Sequence, residues 1–146
     1  MSDDKKKKVQ KMLSNHKTTM LVTHDKQGGL VSRPMTTQSP QFDGDVWFFV
    51  SSDADVLAEV EANGEVNIAY SKEENYVSVS GMASIVDDVE KKKELWYDEL
   101  KKWFDGKGPE SDHVKLIKVT ADTARFWDID ESKKEGNPIE EGRVDY

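Results

Sequence analysis

The sequence predicts an α+β fold in which an antiparallel sheet curls into a small barrel flanked by helices. Strand-like segments follow one another through short turns, in the order helix, three strands, helix, two strands, helix and strand. Parallel strands would need long crossovers, and no internal repeat of strand and helix is visible. The chain has 146 residues, enough for one domain, which we place at 1–129 with a polar extension at 130–146.

The amino-terminal part predicts a helix followed by a hairpin. Apolar residues recur at helical spacing within residues 3–15, and lysines occupy the other faces. Residues 17–24 include Thr18, Thr19, Val22 and Thr23, and this β-branched mixture favours a strand. Two glycines in 25–29 predict a turn, because glycine adopts positive φ without a Cβ clash. Residues 30–37 then form the return strand.

The next strand is expected to be covered on both faces. Residues 46–50 read Val-Trp-Phe-Phe-Val without alternation, so one face meets the core. The other face meets a helix, a ligand or a second subunit. The Ser-Ser-Asp segment at 51–53 then supplies N-cap chemistry for a helix of about 53–63.

Two further strands are predicted at 65–71 and 76–86, joined by a turn at 72–75. The longer strand places Gly81 and Ala83 on its inner face. Small residues there are typical of a close approach by another backbone or by a flat ligand.

A third helix is predicted to begin at Asp87, with Glu90 completing a capping box. Its apolar stripe consists of Val89, Trp96, Leu100, Trp103 and Phe104. After a loop at 105–112, residues 114–129 form the last strand, bent near Ala121 and Asp122. Beyond it the chain is polar, which indicates an extension or disorder.

Composition excludes several classes of function. With 29 acidic and 21 basic residues the formal charge is −8, so nucleic acid would be repelled. The chain contains no cysteine, which rules out disulfides, thiolate metal sites and cysteine nucleophiles. No apolar run is long enough for a membrane span, and the first residues do not resemble a signal peptide. We therefore expect a cytoplasmic protein without nucleic-acid or membrane partners.

Neither metal chemistry nor nucleophilic hydrolysis is indicated. The three histidines, His16, His24 and His113, lie far apart, and none pairs with a carboxylate at metal-ligand spacing. The Gly-x-Ser-x-Gly elbow and the Gly-x-x-x-x-Gly-Lys phosphate loop are both missing from the sequence.

Arg33 is the first candidate for a ligand contact. Pro34 stands inside a strand pattern, where it cannot donate to the ladder, so the segment forms an edge or a bulge. By alternation Arg33 shares its face with Val31 and Met35. An arginine among apolar side chains needs an anionic partner. That partner is either a carboxylate of this chain or an anionic ligand.

The end of the aromatic strand is the second candidate. Ser51 and Ser52 follow Phe49 and Val50 directly, and a helix begins just after them. Hydroxyl groups beside a helix start can bind an anion. The same residues are equally explained as core aromatics followed by an N-cap.

Taken together, these segments resemble the pyridoxamine-phosphate-oxidase-like proteins, FMN-binding split barrels, and in particular their bacterial general stress protein branch. The resemblance covers residues 5–129. It rests on five segments in order: Ser32-Arg33-Pro34-Met35-Thr36, Asp43-Gly44-Asp45-Val46-Trp47-Phe48-Phe49, Tyr76-Val77-Ser78-Val79-Ser80-Gly81-Met82-Ala83, Glu94-Leu95-Trp96 with Lys102-Trp103-Phe104, and Ala124-Arg125-Phe126-Trp127-Asp128.

The resemblance implies a homodimer with FMN sites at the subunit interface. Arg33 and the hydroxyls of Ser51 and Ser52 would face the phosphate. The backbone around Pro34, Met35, Thr36, Phe49 and Val50 would line the isoalloxazine ring. Trp103 and Phe104 would close the site from the other subunit.

One position departs from the family pattern. Related sequences carry a phosphate-binding lysine at the start of the helix, where this chain has Val56 with Asp53 and Asp55 nearby. A charge-assisted hydrogen bond contributes about 1.5–3 kcal/mol, so the loss of this contact would weaken FMN binding roughly ten- to a hundredfold.

Three functions follow from the resemblance and from this departure. The first is a flavin-dependent oxidoreductase of unidentified substrate and electron donor. The second is a non-enzymatic flavin-binding stress protein. The third is a dimeric interaction protein that has lost its cofactor.

Overall fold

The computed structural model describes residues 2–38, 42–129 and 139–146 of the chain. The helices are α1 (Ser2–Leu13), α2 (Asp55–Ala62), α3 (Val89–Leu95) and a 3-10 helix (Asp98–Trp103). The strands are β1 (Thr18–His24), β2 (Leu30–Thr36), β3 (Asp45–Ser51), β4 (Glu65–Lys72), β5 (Asn75–Val86), β6 (Val114–Asp128) and β7 (Glu140–Asp145). In the part of the chain that the structure describes, no helix is long and apolar enough to cross a membrane.

All strands pair antiparallel in one sheet, in the order β2-β1-β4-β5-β6-β3, and β7 pairs with β6. The predicted α+β class is therefore confirmed. Within the described residues the terminal strands β2 and β3 share no ladder, so the sheet is open rather than closed. Its two ends still approach each other just beyond β2. There the backbone N–H of Gln38 donates to the backbone carbonyl oxygen of Trp47 in β3 at 2.9 Å.

The main core lies on the inner face of this curled sheet. Alternation along β1, β4 and β5 turns one set of side chains inward, as expected for strands covered on one side. The most deeply buried members of this core include Leu21, Phe48, Ile68, Val79, Ile117, Val119 and Phe126. Helix α1 adds Val9 and Leu13, as its spacing predicts.

The outer face of β3 is covered by a helix, one of the three coverings that the sequence left open. Phe49 packs there in a second cluster with Leu95, Leu100 and Phe104. The Phe49 and Trp96 rings meet edge to face, with centroids 5.4 Å apart. The segment after β5 therefore folds back over the end of β3.

The third helix differs from its prediction. Its N-cap is Asp88, which accepts a hydrogen bond from the Lys91 amide, and not Asp87. The helix stops at Leu95 because Trp96 and Tyr97 adopt extended backbone angles, and the chain continues as the 3-10 helix. The break divides the predicted stripe: Phe104 is buried, whereas Trp103 is 70% exposed.

The predicted bend in β6 is confirmed as a bulge. The β5–β6 register shifts between Ser80 and Gly81, opposite Ala121 and Thr123. A Cβ on Gly81 would lie 2.2 Å from the Thr120 carbonyl oxygen. Gly81 is thus required because the β6 backbone comes too close for a side chain. Of the two explanations for its small size, another backbone or a flat ligand, the structure supports the first.

The sequence left residues 130–146 as an extension or as disorder, and the structure shows residues 140–145 as strand β7. Strand β7 pairs with β6 from Thr123 to Asp128, and Val144 is 2% exposed in the main core. Lys8 of α1 binds Asp128 at 2.7 Å and Glu140 at 2.8 Å. The remainder of the predicted extension, residues 130–138, lies outside the described residues.

Candidate functional site

The sheet end at β2 and β3 borders a cavity of about 680 Å³. Strands β2 and β3, the start of α2 and the 3-10 helix enclose it. Of the predicted cofactor-binding residues, all except Ser52 line this cavity: Arg33, Pro34, Met35, Thr36, Phe49, Val50, Ser51, Trp103 and Phe104. The other lining residues are Gln38, Ala54, Asp55, Val56, Tyr97 and Leu100. Its volume falls in the range of small-molecule sites.

Arg33 forms an ion pair with a carboxylate of its own chain, that of Glu59. Its Nη2 contacts Oε1 of Glu59, and its Nη1 donates to the Thr23 hydroxyl at 2.9 Å. The Thr23 hydroxyl in turn donates to Glu59 Oε1 at 2.9 Å. The ion-pair explanation of Arg33 is therefore realised, although the residue still lines the cavity.

The start of α2 lies later than predicted. Ser52 and Asp53 form a turn, and the helix begins at Asp55 behind Ala54, which makes no side-chain cap. The predicted Ser-Ser-Asp N-cap is thus wrong. Val56, at the position of the expected lysine, is 3% exposed and packs in the main core.

Ser52 turns away from the cavity. Its hydroxyl lies 3.2 Å from Nδ1 of His113, and Nε2 of the same ring lies 3.6 Å from Oδ2 of Asp105. The His113 ring also meets Phe104 edge to face at 6.4 Å. This contact ties the β3–α2 turn to the segment after the 3-10 helix, so Ser51 alone of the two serines faces the cavity.

Aromatic side chains form one wall of the cavity. Phe49 and Phe104 are buried with ring centroids 6.5 Å apart, and Tyr97 stacks on His16 at 4.6 Å. Trp103 projects at the rim. Trp103 and Phe104 line the cavity of their own chain, whereas the resemblance assigned them to the other subunit.

Gln38 is a lining residue that the sequence did not single out. Its side chain is 3% exposed, and Nε2 donates to the Thr36 carbonyl oxygen at 3.1 Å. Its Oε1 is buried and has no hydrogen-bond partner in the described part of the chain. An unsatisfied buried acceptor costs about 1–3 kcal/mol, which makes it a feature to explain. A polar residue just after a strand carries no distinguishing signal in sequence.

Among the described residues no group of three or more histidine, cysteine, aspartate or glutamate side chains could hold a metal ion. The described charged residues of the lining are only Arg33 and Asp55. The site is accordingly an aromatic and apolar cavity with one cation, Arg33, and one carboxylate, Asp55, at its wall.

Comparison with known proteins agrees with this geometry. Residues 4–137 match the family model described as "Pyridoxamine 5'-phosphate oxidase like". The curated Neurospora crassa protein bli-3 is 30% identical over 136 residues, 85% of this chain, and the chain spans 65% of the length of that relative.

Solved structures show the same fold. The general stress FMN/FAD binding protein from Xanthomonas citri superposes with a TM-score of 0.72 and 28% identity, over 86% of this chain and 89% of that one. General Stress Protein 26 from Bacillus anthracis gives 0.72 and 24% identity, over 86% and 94%. The split-barrel architecture is thus confirmed. The chain belongs to the pyridoxamine 5'-phosphate oxidase-like family.

Proposed function

We propose that this protein binds FMN in the cavity between β2, β3 and the 3-10 helix and acts as a flavin-dependent oxidoreductase of the general stress type. The supporting observation is that a single cavity of about 680 Å³ gathers the residues that the resemblance assigned to the cofactor. The Xanthomonas citri relative is described as binding FMN or FAD.

The lining suits a flat heteroaromatic ring. Pro34, Met35, Val50 and Leu100 supply apolar surface, and Trp103 stands at the rim for stacking. The unpaired Oε1 of Gln38 is an acceptor of the kind that a ring N–H would satisfy after a small rearrangement of the wall. The residues present therefore fit the ring of the cofactor.

The phosphate has fewer partners. Arg33 is the sole cation among the described lining residues, and Ser51 supplies a hydroxyl. Bound flavin would itself provide the capacity for hydride or electron transfer. The lack of a protein nucleophile is no objection, because the transfer chemistry would take place on the flavin. The described residues would position the ring and limit its access to water.

A cofactor-free role is the second candidate. The Arg33–Glu59 contact and the presence of Val56 in place of the expected lysine favour it, because the first compensates and the second omits a positive charge where a phosphate would bind. A non-enzymatic flavin-binding protein is the intermediate case, with bound flavin but no turnover.

We further propose a homodimer, as the resemblance implies, in which the outer face of the sheet contacts a second copy. Four large apolar side chains lie on that face, at 38–70% exposure: Met20, Leu30, Tyr76 and Met82. Sedimentation velocity of the purified protein measures whether it is a monomer or a dimer. A cytoplasmic location stays a prediction from sequence.

Titration of FMN with protein, read by flavin fluorescence, tests the proposal. We expect quenching at micromolar protein, and Trp103→Ala should weaken binding about three- to tenfold through lost stacking. Trp103→Phe keeps an aromatic ring and serves as the matched control. No quenching near millimolar protein would instead establish the cofactor-free role.

Turnover separates the two flavin-binding roles. Protein loaded with FMN is mixed with a nicotinamide donor, and bleaching of the flavin absorbance is followed. Reduction supports the oxidoreductase. Stable yellow protein with every donor supports the non-enzymatic role.

A further inference from the structure

Arg33, the cation that lines the cavity, is already neutralised by the carboxylate of Glu59. Glu59 lies on the inward side of α2, with its side chain 11% exposed, against the Arg33 side chain at 21%. Their contact is completed by the Thr23 hydroxyl, which accepts from Arg33 and donates to Glu59. This closed arrangement of three side chains is the Arg33 network.

The Arg33 network is expected to persist when a ligand enters. Separating the guanidinium from Glu59 would leave a buried carboxylate without its counterion, which is strongly unfavourable. A guanidinium has five N–H donors, and the network uses two of its nitrogens. Arg33 can thus offer hydrogen bonds to a ligand while its charge stays compensated.

The rest of the described lining adds no compensating positive charge. Asp55 is exposed at the first turn of α2, where its carboxylate already interacts favourably with the positive end of the helix. Val56 lies next to it and is buried in the core. Arg33, Glu59 and Asp55 together therefore leave the neighbourhood with a net negative charge, which opposes a dianionic phosphate.

We propose that this cavity recognises the uncharged part of a flavin, and that Glu59 prevents the phosphate from adding to the affinity. Riboflavin, which lacks the phosphate, then binds as tightly as FMN. The inference rests on the proposed flavin-binding function and names Glu59 as the residue that sets the specificity among flavins. Glu59 acts through Arg33 and is a positioning residue.

Parallel fluorescence titrations of the wild-type protein with riboflavin and FMN test this in one buffer. The two dissociation constants should agree within about threefold. FMN binding that is tighter by about tenfold or more would overturn the inference but leave flavin binding intact. Failure of both flavins to bind would overturn the proposed function itself, and the inference with it.

Glu59→Gln removes the charge and keeps the shape and an acceptor for Arg33 and Thr23. We expect FMN to bind about tenfold more tightly, because the uncompensated guanidinium then makes a charge-assisted hydrogen bond. Riboflavin affinity should change less than about twofold. Equal effects on both flavins, or none, would overturn the role of Glu59.

Glu61→Gln is the matched control. Glu61 lies on the same helix, is exposed and lines no part of the cavity, so the substitution changes net charge equally. It should leave both affinities unchanged. Thermal melting confirms that each variant is folded, and the wild-type comparison of the two flavins decides the matter even where Glu59→Gln does not fold.

Discussion

Two ion-pair networks in this molecule use their cations differently. Arg33 at the cavity wall meets the single carboxylate of Glu59, and a threonine closes the arrangement. Lys8 of α1 meets two carboxylates, Asp128 of β6 and Glu140 of β7, and fastens the first helix to the last strand. The first network balances charge beside the candidate cavity, whereas the second joins distant parts of the chain.

The position of an ion pair in the fold, rather than the type of its residues, decides what the pair does in this molecule. Lys8 comes from a run of four lysines that sequence reasoning treats as solvated, yet it is largely withdrawn from solvent. Arg33 stands alone among apolar residues and attracts attention as a ligand contact, yet it is satisfied internally. The Arg33 network is the more buried of the two and borders the candidate cavity, whereas Glu140 in the Lys8 network is half exposed.

Glu59→Ala should produce the largest loss of stability. Removing one partner of a buried pair leaves the other charge uncompensated, at a cost of about 3–5 kcal/mol in unfolding free energy. Urea denaturation measures it. Glu61→Ala on the exposed side of α2 should stay within about 0.5 kcal/mol. A loss below about 1 kcal/mol for Glu59→Ala would mean that Arg33 is well solvated without its partner.

Lys8→Met should have an intermediate effect. The pair is more exposed than the Arg33 network, so we expect a loss of about 1–2 kcal/mol at neutral pH. Lys7→Met, on the exposed side of the same helix, is the control. An effect as large as that of Glu59→Ala would remove the difference between the two networks.

The same variant has a defined pH dependence. Burial lowers the pKa of Lys8, but hydrogen bonds and charges from Asp128 and Glu140 outweigh it, so the pKa is raised from 10.5. A raised folded-state pKa gives stability that is fully present below 10.5 and is lost as pH rises through the folded value. The stability difference between wild type and Lys8→Met should therefore shrink above pH 10.5.

Tyr146 gives the smallest expected effect. Burial raises the pKa of its phenol from 10.0 to about 12, so the neutral form stabilises the fold below pH 10 and the benefit is lost as pH rises through about 12. Tyr146→Phe should match wild type at neutral pH and lose less stability between pH 10 and 12, as followed by denaturation at each pH. Identical alkaline losses would show that the phenol contributes nothing.

Much of the fold could be predicted because local patterns agree with tertiary structure. The hairpin turn at 25–29, the uninterrupted apolar strand and the bend near Asp122 each follow from residue type and period alone. The third helix could not be placed correctly. Its stripe continues through Trp96 to Phe104 at helical spacing, whereas in the structure Trp96 and Tyr97 are extended and Trp96 packs on Phe49.

The candidate site was predictable in its members and not in its internal contacts. Alternation placed Arg33 on an inward face, and the strand end placed Phe49 and Val50 beside it. The choice of Glu59 among 29 acidic residues depends on the sheet register and on the rotation of α2, which no spacing rule specifies. Gln38 was missed because a polar residue just after a strand has no feature that distinguishes it in the sequence.

The bulge in β6 has a consequence for the carboxyl-terminal residue beside it. By adding Asp122 to the strand it turns one carbonyl group out of the ladder with β5, and the Tyr146 amide docks on that oxygen at 2.9 Å. The Tyr146 ring then rests edge to face on Phe42, 5.6 Å away. The bulge in β6 thus provides a hydrogen-bond acceptor just beyond the end of β7, and straightening it would remove this contact while the β6–β7 ladder remained.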